Sequence, residues 1–197
     1  MARIALALIG LVTSGCDGGG AGGVLFHDDF SGSFPEPNWV GDGEVETMFG
    51  APLPALRLAP IAPKAFARVQ MANPIQVGGG LVLRFSVAVP AESSGQIFLE
   101  DVQASGQPLA GFTFRGVGEI AYEITGIPGA VQPLGAHDGM FHEFELQYTK
   151  NGASSWSRDG AIQVQGTAVN QATLTRLSVQ TGAVVGLVFD EVELGPR

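Results

Sequence analysis

A single cysteine, Cys16, is present, so no intramolecular disulfide can hold this chain together. Basic residues are few: ten Lys and Arg stand against nineteen Asp and Glu, for a formal net charge of −9. A phosphate-binding surface needs clustered cations, and these ten are scattered, so nucleic acid is not expected as a partner. No apolar run approaches the roughly 20 residues of a membrane-spanning helix. The three histidines, His27, His137 and His142, share no metal-binding spacing such as His-x-x-x-His. No Gly-x-Ser-x-Gly elbow exists. Gly78-Gly79-Gly80 precedes a strand pattern, which makes it a turn and not a phosphate cradle at a helix start.

Glycine and proline are plentiful instead, at 29 and 12, with 45% hydrophobic residues. That mixture suits many short strands joined by turns around one substantial core. The 197 residues fall near the ~200–250 that a single sandwich or barrel occupies. From Phe141 to Val164, Phe144, Leu146 and Tyr148 alternate with Glu143, Glu145 and Gln147, a half-buried strand. Asn151-Gly152 and Asp159-Gly160 then supply hairpin turns, predicting a three-stranded meander. Leu81, Leu83, Phe85, Val87 and Val89 mark a second alternating strand over Gly80 to Val89, with Arg84 and Ser86 on the other face. Further strands are expected at Val24–Phe30, Glu44–Phe49, Ala55–Leu58, Ala65–Met71, Gln96–Val102, Ala110–Arg115, Glu119–Ile124, Leu174–Thr181 and Val184–Leu194. Gly126 to Gly139 reads as a turn-rich linker. About a dozen strands without an amphipathic helix predict an all-β sandwich.

The first residues read as a targeting segment. Met1-Ala2-Arg3 is a short basic region and Ile4 to Val12 is apolar at signal-peptide length. Thr13-Ser14-Gly15-Cys16 resembles a bacterial lipobox, with Thr13 where that pattern usually has Leu. The resemblance implies a lipoprotein signal over residues 1–15, a lipidated Cys16 with a Gly-rich tether over 16–23, and one domain over 24–197. An ordinary secretory signal with an incidental Cys is the other reading. A lipid anchor would place the protein in the bacterial cell envelope, with which membrane and which face left open. It would also explain a lone Cys in an oxidising compartment.

Three phrases resemble the concanavalin A-like (laminin G-like) jelly-roll domains. They are Phe26-His27-Asp28-Asp29-Phe30-Ser31-Gly32 followed by Trp39, then Phe141-His142 through Trp156-Ser157-Arg158-Asp159-Gly160, and the closing Val188 to Leu194. The resemblance implies an antiparallel jelly-roll β-sandwich of the lectin and glucanase type, with first and last strands side by side. Laminarinase- and lichenase-type glycosidases of that fold carry Glu-x-Asp-x-Glu on one strand. Gly118-Glu119-Ile120-Ala121-Tyr122-Glu123 matches the outer positions, which makes Glu119 and Glu123 the candidate acids. Ala121 stands where those enzymes have Asp. Without that residue, which helps keep the two ionisation states apart, the pair reads more simply as a solvated face. Only two Trp and two Tyr are available to grip a sugar.

Asp28, Asp29, Asp190 and Glu191 approach one another if the terminal strands pair. They form a candidate calcium site, or simply solvated strand ends. Trp39 and Trp156 are candidates for stacking on a sugar ring, or for packing across the sandwich. No cofactor is required by these readings. The function expected is a non-catalytic, lipid-anchored envelope protein binding glycan or another surface ligand. A glycoside hydrolase using Glu119 and Glu123 and a purely structural envelope module are the alternatives. Fold alone does not choose among them.

Overall fold

The computed structural model describes residues 23–31, 38–42, 44–48, 55–61, 65–104, 107–115, 119–124, 131–168, 172–182 and 186–197. The side chains of residues 42, 44–48, 119–124 and 131–134 are not described. The signal segment, Cys16 and most of the tether lie outside the described residues.

The described chain forms sixteen strands and no helix. They begin with β1 (Phe26–Asp28), β2 (Trp39–Asp42), β3 (Glu44–Met48), β4 (Ala55–Ala59), β5 (Ala67–Met71) and β6 (Ile75–Gln76). The middle of the chain gives β7 (Gly80–Ala88), β8 (Gly95–Asp101), β9 (Gln107–Arg115), β10 (Glu119–Ile124) and β11 (Val131–Gly135). The remainder gives β12 (Phe141–Thr149), β13 (Ala153–Arg158), β14 (Ala161–Thr167), β15 (Leu174–Thr181) and β16 (Leu187–Pro196).

Two antiparallel eight-stranded sheets face each other. The first runs β14-β13-β12-β7-β16-β4-β3, with β1 added to β16; the second runs β11-β10-β9-β8-β15-β5-β2, with β6 added to β15. First and last strands are paired as expected, Phe26 opposite Leu194 and Asp28 opposite Val192. The 141–164 meander is present as β12-β13-β14. Its second turn places both central residues at positive φ, Asp159 at 51° and Gly160 at 76°, the twist that suits a two-residue hairpin loop.

Alternation decides which side chains meet between the sheets. Leu81, Leu83, Phe85 and Val87 of β7 are buried while Arg84 is exposed. Phe85 stacks on Phe144 of β12 at 5.5 Å between centroids and meets Phe112 of β9 edge-on at 5.3 Å. Phe114 and Phe189 complete this cluster, which ties the two sheets at their centres.

Two segments differ from expectation. The stretch 126–139 contains a strand, β11, despite Pro133. It is the outermost strand of its sheet, the position at which sheets tolerate a proline's missing N–H. The short β2 and β6, four and two residues long, carry too little pattern to be read from sequence.

Candidate functional site

The outer face of the first sheet carries the candidate site. Arg84 lies in the middle of β7, and its flanking residues Leu83 and Phe85 occupy the core. Register sets Glu145 of β12 opposite it on one side and Glu193 of β16 opposite it on the other. The guanidinium bridges the two: Nε donates to Glu145 Oε2 at 2.8 Å, and Nη1 donates to Glu193 Oε1 at 3.2 Å. The hydrogen bond to Glu145, with the negative charge on both acids, raises the Arg84 pKa against the opposing effect of burial. Gln147 donates through Nε2 to the second oxygen of Glu145 at 2.8 Å.

Around this triad opens a groove of about 440 Å³. Ser86, Glu143, Ser157 and Gly160 contribute to its polar lining, and Ile162 of β14, 62% exposed, forms an apolar wall. At the rim, Glu191 Oε1 meets His27 Nε2 at 2.9 Å. That hydrogen bond is the main reason the His27 pKa is raised, partly offset by desolvation.

The β13–β14 turn is fastened beside the groove. Asp159 donates its amide to the Glu143 carbonyl at 2.8 Å and accepts the Glu143 amide on Oδ1 at 3.1 Å. His142 links the same turn to the chain before β12, with Nδ1 2.8 Å from Asp159 Oδ2 and Nε2 3.1 Å from Asp138 Oδ1. Arg158 Nη2 lies 2.9 Å from that Nε2. The Met140 amide, followed by His142, holds the Asp138 carboxyl below the usual carboxylate range.

The arrangement offers carboxylate acceptors, hydroxyl and amide groups, one cation and one apolar surface. Such a set suits a hydroxyl-rich ligand laid across the strands.

The residues singled out from sequence are distributed elsewhere. Trp39 and Trp156 are both in the core, at 5% and 0% exposure. Trp156 crosses the sandwich to donate its Nε1–H to the Gly111 carbonyl of β9 at 3.0 Å. Trp39 meets Phe26 edge-on at 5.2 Å, so neither indole is available to stack on a sugar.

Asp28 is buried and engaged at both oxygens, accepting the Phe30 amide at 2.8 Å and the Trp39 indole N–H at 2.7 Å. Asp29 accepts the amide and hydroxyl of Ser31 at 3.0 and 2.6 Å, and these bonds lower its pKa. Asp190 is shifted upward by burial first, then by the charges of Glu191 and Asp29. The strand pairing that brings these acids near one another is present, but the carboxylates of Asp28, Asp29 and Glu191 each engage a different partner. Among the described residues no three His, Cys, Asp or Glu gather as a metal-binding group.

Glu119, Ala121 and Glu123 lie on β10, opposite Arg115, Thr113 and Gly111 of β9; their side chains are outside the described set. Arg84 is the residue that sequence reading passed over as a site. Its signal was a lone charge in the middle of the most apolar strand.

No family model matches the sequence. No curated protein matches it either. Solved structures do share its fold. The globular domain of T. cruzi calreticulin superposes with a TM-score of 0.64 at 16% identity, covering 89% of each chain. A Bacillus licheniformis β-glucanase gives a TM-score of 0.65 at 12% identity, covering 89% of this chain and 99% of its own. A Crh5 transglycosylase in complex with NAG gives 0.64 at 15%, covering 89% and 86%. Identities this low establish fold alone: the chain is an antiparallel β-sandwich of the concanavalin A-like jelly-roll type found in glucanases and lectins.

Proposed function

We propose that this chain is a non-catalytic, lipid-anchored envelope protein that binds a glycan, or a similar hydroxyl-rich surface ligand, in the groove over Arg84. The observation that carries the reading is the bridge from Arg84 to Glu145 and Glu193 on the floor of a groove walled by Ile162. Fixed acceptors beside an apolar wall are what orient a sugar: hydroxyls donate to the carboxylates while a ring face covers the aliphatic side chain. Solved structures with the same fold include a β-glucanase and a transglycosylase, which makes a glycan the first ligand class to test.

The non-catalytic part of this reading is supported by Ala121, which stands between Glu119 and Glu123 where the glucanase-type pattern has Asp. Glycoside hydrolysis needs one carboxyl protonated near neutral pH while its partner stays ionised. In the groove, the carboxylates of Glu145 and Glu193 are both hydrogen-bonded to Arg84. The lipid anchor rests on Cys16 and its small-residue approach, and places the domain in the bacterial envelope.

A glycan array probed with the chain from Gly23 onward tests the binding. Selective retention by one glycan class, lost in both Arg84→Ala and Glu145→Gln, is the expected outcome. Failure of every glycan to bind above background would leave the purely structural envelope role in its place.

A further inference from the structure

A second charge cluster lies on the other sheet and has no part in the groove. Glu100 of β8 is completely buried, and two arginines close on it. Arg68 of β5 donates through Nη2 to Oε2, and Arg176 of β15 donates through Nε to Oε1 at 2.7 Å. The Arg68 Nη2 also reaches Ser178 Oγ at 3.4 Å, and its guanidinium carbon stands 6.0 Å from the centroid of the Phe98 ring. Register explains the convergence. Glu100 is paired with Arg176, Ser178 with both Phe98 and Gln70, and Gln180 with Arg68. All of them occupy the outer face, because Leu99, Leu177 and Val69 fill the core between them.

The charge count is unequal. Two guanidinium ions share one carboxylate whose two oxygens are both taken. Among the described side chains the cluster therefore has one cation more than it has anions, on a protein whose formal net charge is −9; Asp42, paired with Arg68 across β2 and β5, has a side chain outside the described set. Among the described residues, Arg176 commits only its Nε and Arg68 only its Nη2, whereas each guanidinium has five N–H donors. The Arg68 Nε is buried and has no hydrogen-bond partner. The side chains of Arg68 and Arg176 remain 35% and 22% exposed, while that of Glu100 is fully buried.

Two fixed guanidinium planes with spare donors match the paired oxygens of a carboxylate or other oxyanion better than any neutral group. Partial burial strengthens that attraction over its value in open water. Glu100 acts as the positioning residue, since it holds both arginines in place and cannot itself reach a ligand.

We propose that Arg68 and Arg176, oriented by the buried Glu100, form an oxyanion-binding site on the outer face of the second sheet that accepts the carboxylate of an acidic sugar. The site is separate from the Arg84 groove, so either assignment can fail without the other.

The mature chain is tested with an oligogalacturonate, with a neutral oligogalactose of equal length, and with inorganic phosphate. Affinity is read by titration calorimetry. Occupancy is mapped by protection of individual arginines from phenylglyoxal. The oligogalacturonate is expected to bind, weakening steeply with salt, and to protect Arg68 and Arg176; the neutral oligomer is expected to do neither. Arg176→Gln should weaken binding at least ten-fold and Arg176→Lys less, while Arg115→Gln, on an exposed position of the same sheet, leaves it unchanged.

The phosphate arm separates the sources of the oxyanion. Protection by phosphate matching that by the acidic oligomer supports the site and makes a free anion its ligand in place of a sugar. The proposal is overturned if neither anion protects the two arginines, if the neutral oligomer binds as tightly, or if Arg176→Gln binds undiminished. The protection map on the unaltered chain decides the matter even if a variant fails to fold.

Discussion

Asp28 accepts the indole N–H of Trp39 at 2.7 Å, with both residues buried and the second carboxylate oxygen holding the Phe30 amide. The bond ties β1 to β2 and so joins an added strand of the first sheet to an edge of the second. Removing the carboxylate strands two buried donors, each costing about 1–3 kcal/mol. Asp28→Ala should therefore lower stability by about 2–4 kcal/mol in denaturant unfolding. Asp28→Asn, which keeps one acceptor, should cost less. Because both oxygens of Asp28 are already engaged, calcium added to metal-stripped protein is expected to leave the melting temperature where it was. A calcium-dependent rise would show that the acids of β1 and β16 rearrange around an ion.

Phe85 and Arg84 are neighbours in sequence on opposite faces of β7, and their substitutions should differ accordingly. Phe85 touches Phe112, Phe114, Phe144 and Phe189, so Phe85→Ala opens a cavity at the junction of the sheets and should cost about 3–5 kcal/mol. Arg84 is exposed, and its two ion pairs are screened by water. Arg84→Ala should change stability by no more than about 1 kcal/mol. Equal shifts in denaturant midpoint would mean that the two faces of β7 are wrongly assigned.

The contrast between these two residues also shows what the sequence could reveal. Alternation over Gly80 to Val89 and the turn residues at Asn151-Gly152 and Asp159-Gly160 are local signals, and the strands and hairpins they imply are present. Pro133 concealed β11 because proline argues against a strand unless the position is known to be at an edge, and edges are a property of the finished sheet. The site itself was not legible. Glu145 and Glu193 are 61 and 109 residues away from Arg84 in sequence, so nothing short of sheet order could bring them together. The two tryptophans were ambiguous for the same reason: packing across the sandwich, against Gly111 and Phe26, decided that both are core.

The His27–Glu191 contact predicts a pH dependence. The hydrogen bond to Glu191 raises the His27 pKa above the ordinary value of about 6.5. A group whose folded pKa is raised stabilises the fold fully below its unfolded pKa, and that contribution disappears as pH climbs through the folded value. With His27 42% and Glu191 54% exposed, solvent screening keeps the effect under about 1 kcal/mol. NMR titration should find the imidazole midpoint above 6.5 in the unaltered protein, falling toward that value in Glu191→Gln. An unshifted midpoint in the unaltered protein would mean that the contact does not persist in solution.

Anchoring can be tested without any ligand. If Cys16 carries lipid, Cys16→Ser should move the protein out of the membrane fraction and abolish incorporation of labelled fatty acid. A secretory signal with an incidental cysteine gives the opposite result, with distribution unaltered by the substitution.

The last prediction concerns chemistry, because glycoside hydrolases share this fold. A retaining mechanism places two carboxyl groups about 5–5.5 Å apart, one protonated and one ionised. In the groove, Glu145 and Glu193 both accept hydrogen bonds from the one Arg84 guanidinium. On β10, Glu119 and Glu123 bracket Ala121, which has no group to hydrogen-bond between them and separate their ionisation. We therefore expect no turnover of β-1,3 or mixed-linkage glucans by the purified chain, and little change in stability for Glu119→Gln or Glu123→Gln. Hydrolysis that vanished in both of those variants would install the enzyme on β10. Hydrolysis that survived them but vanished in Glu145→Gln would place it in the groove, and either result would replace the binding role proposed above.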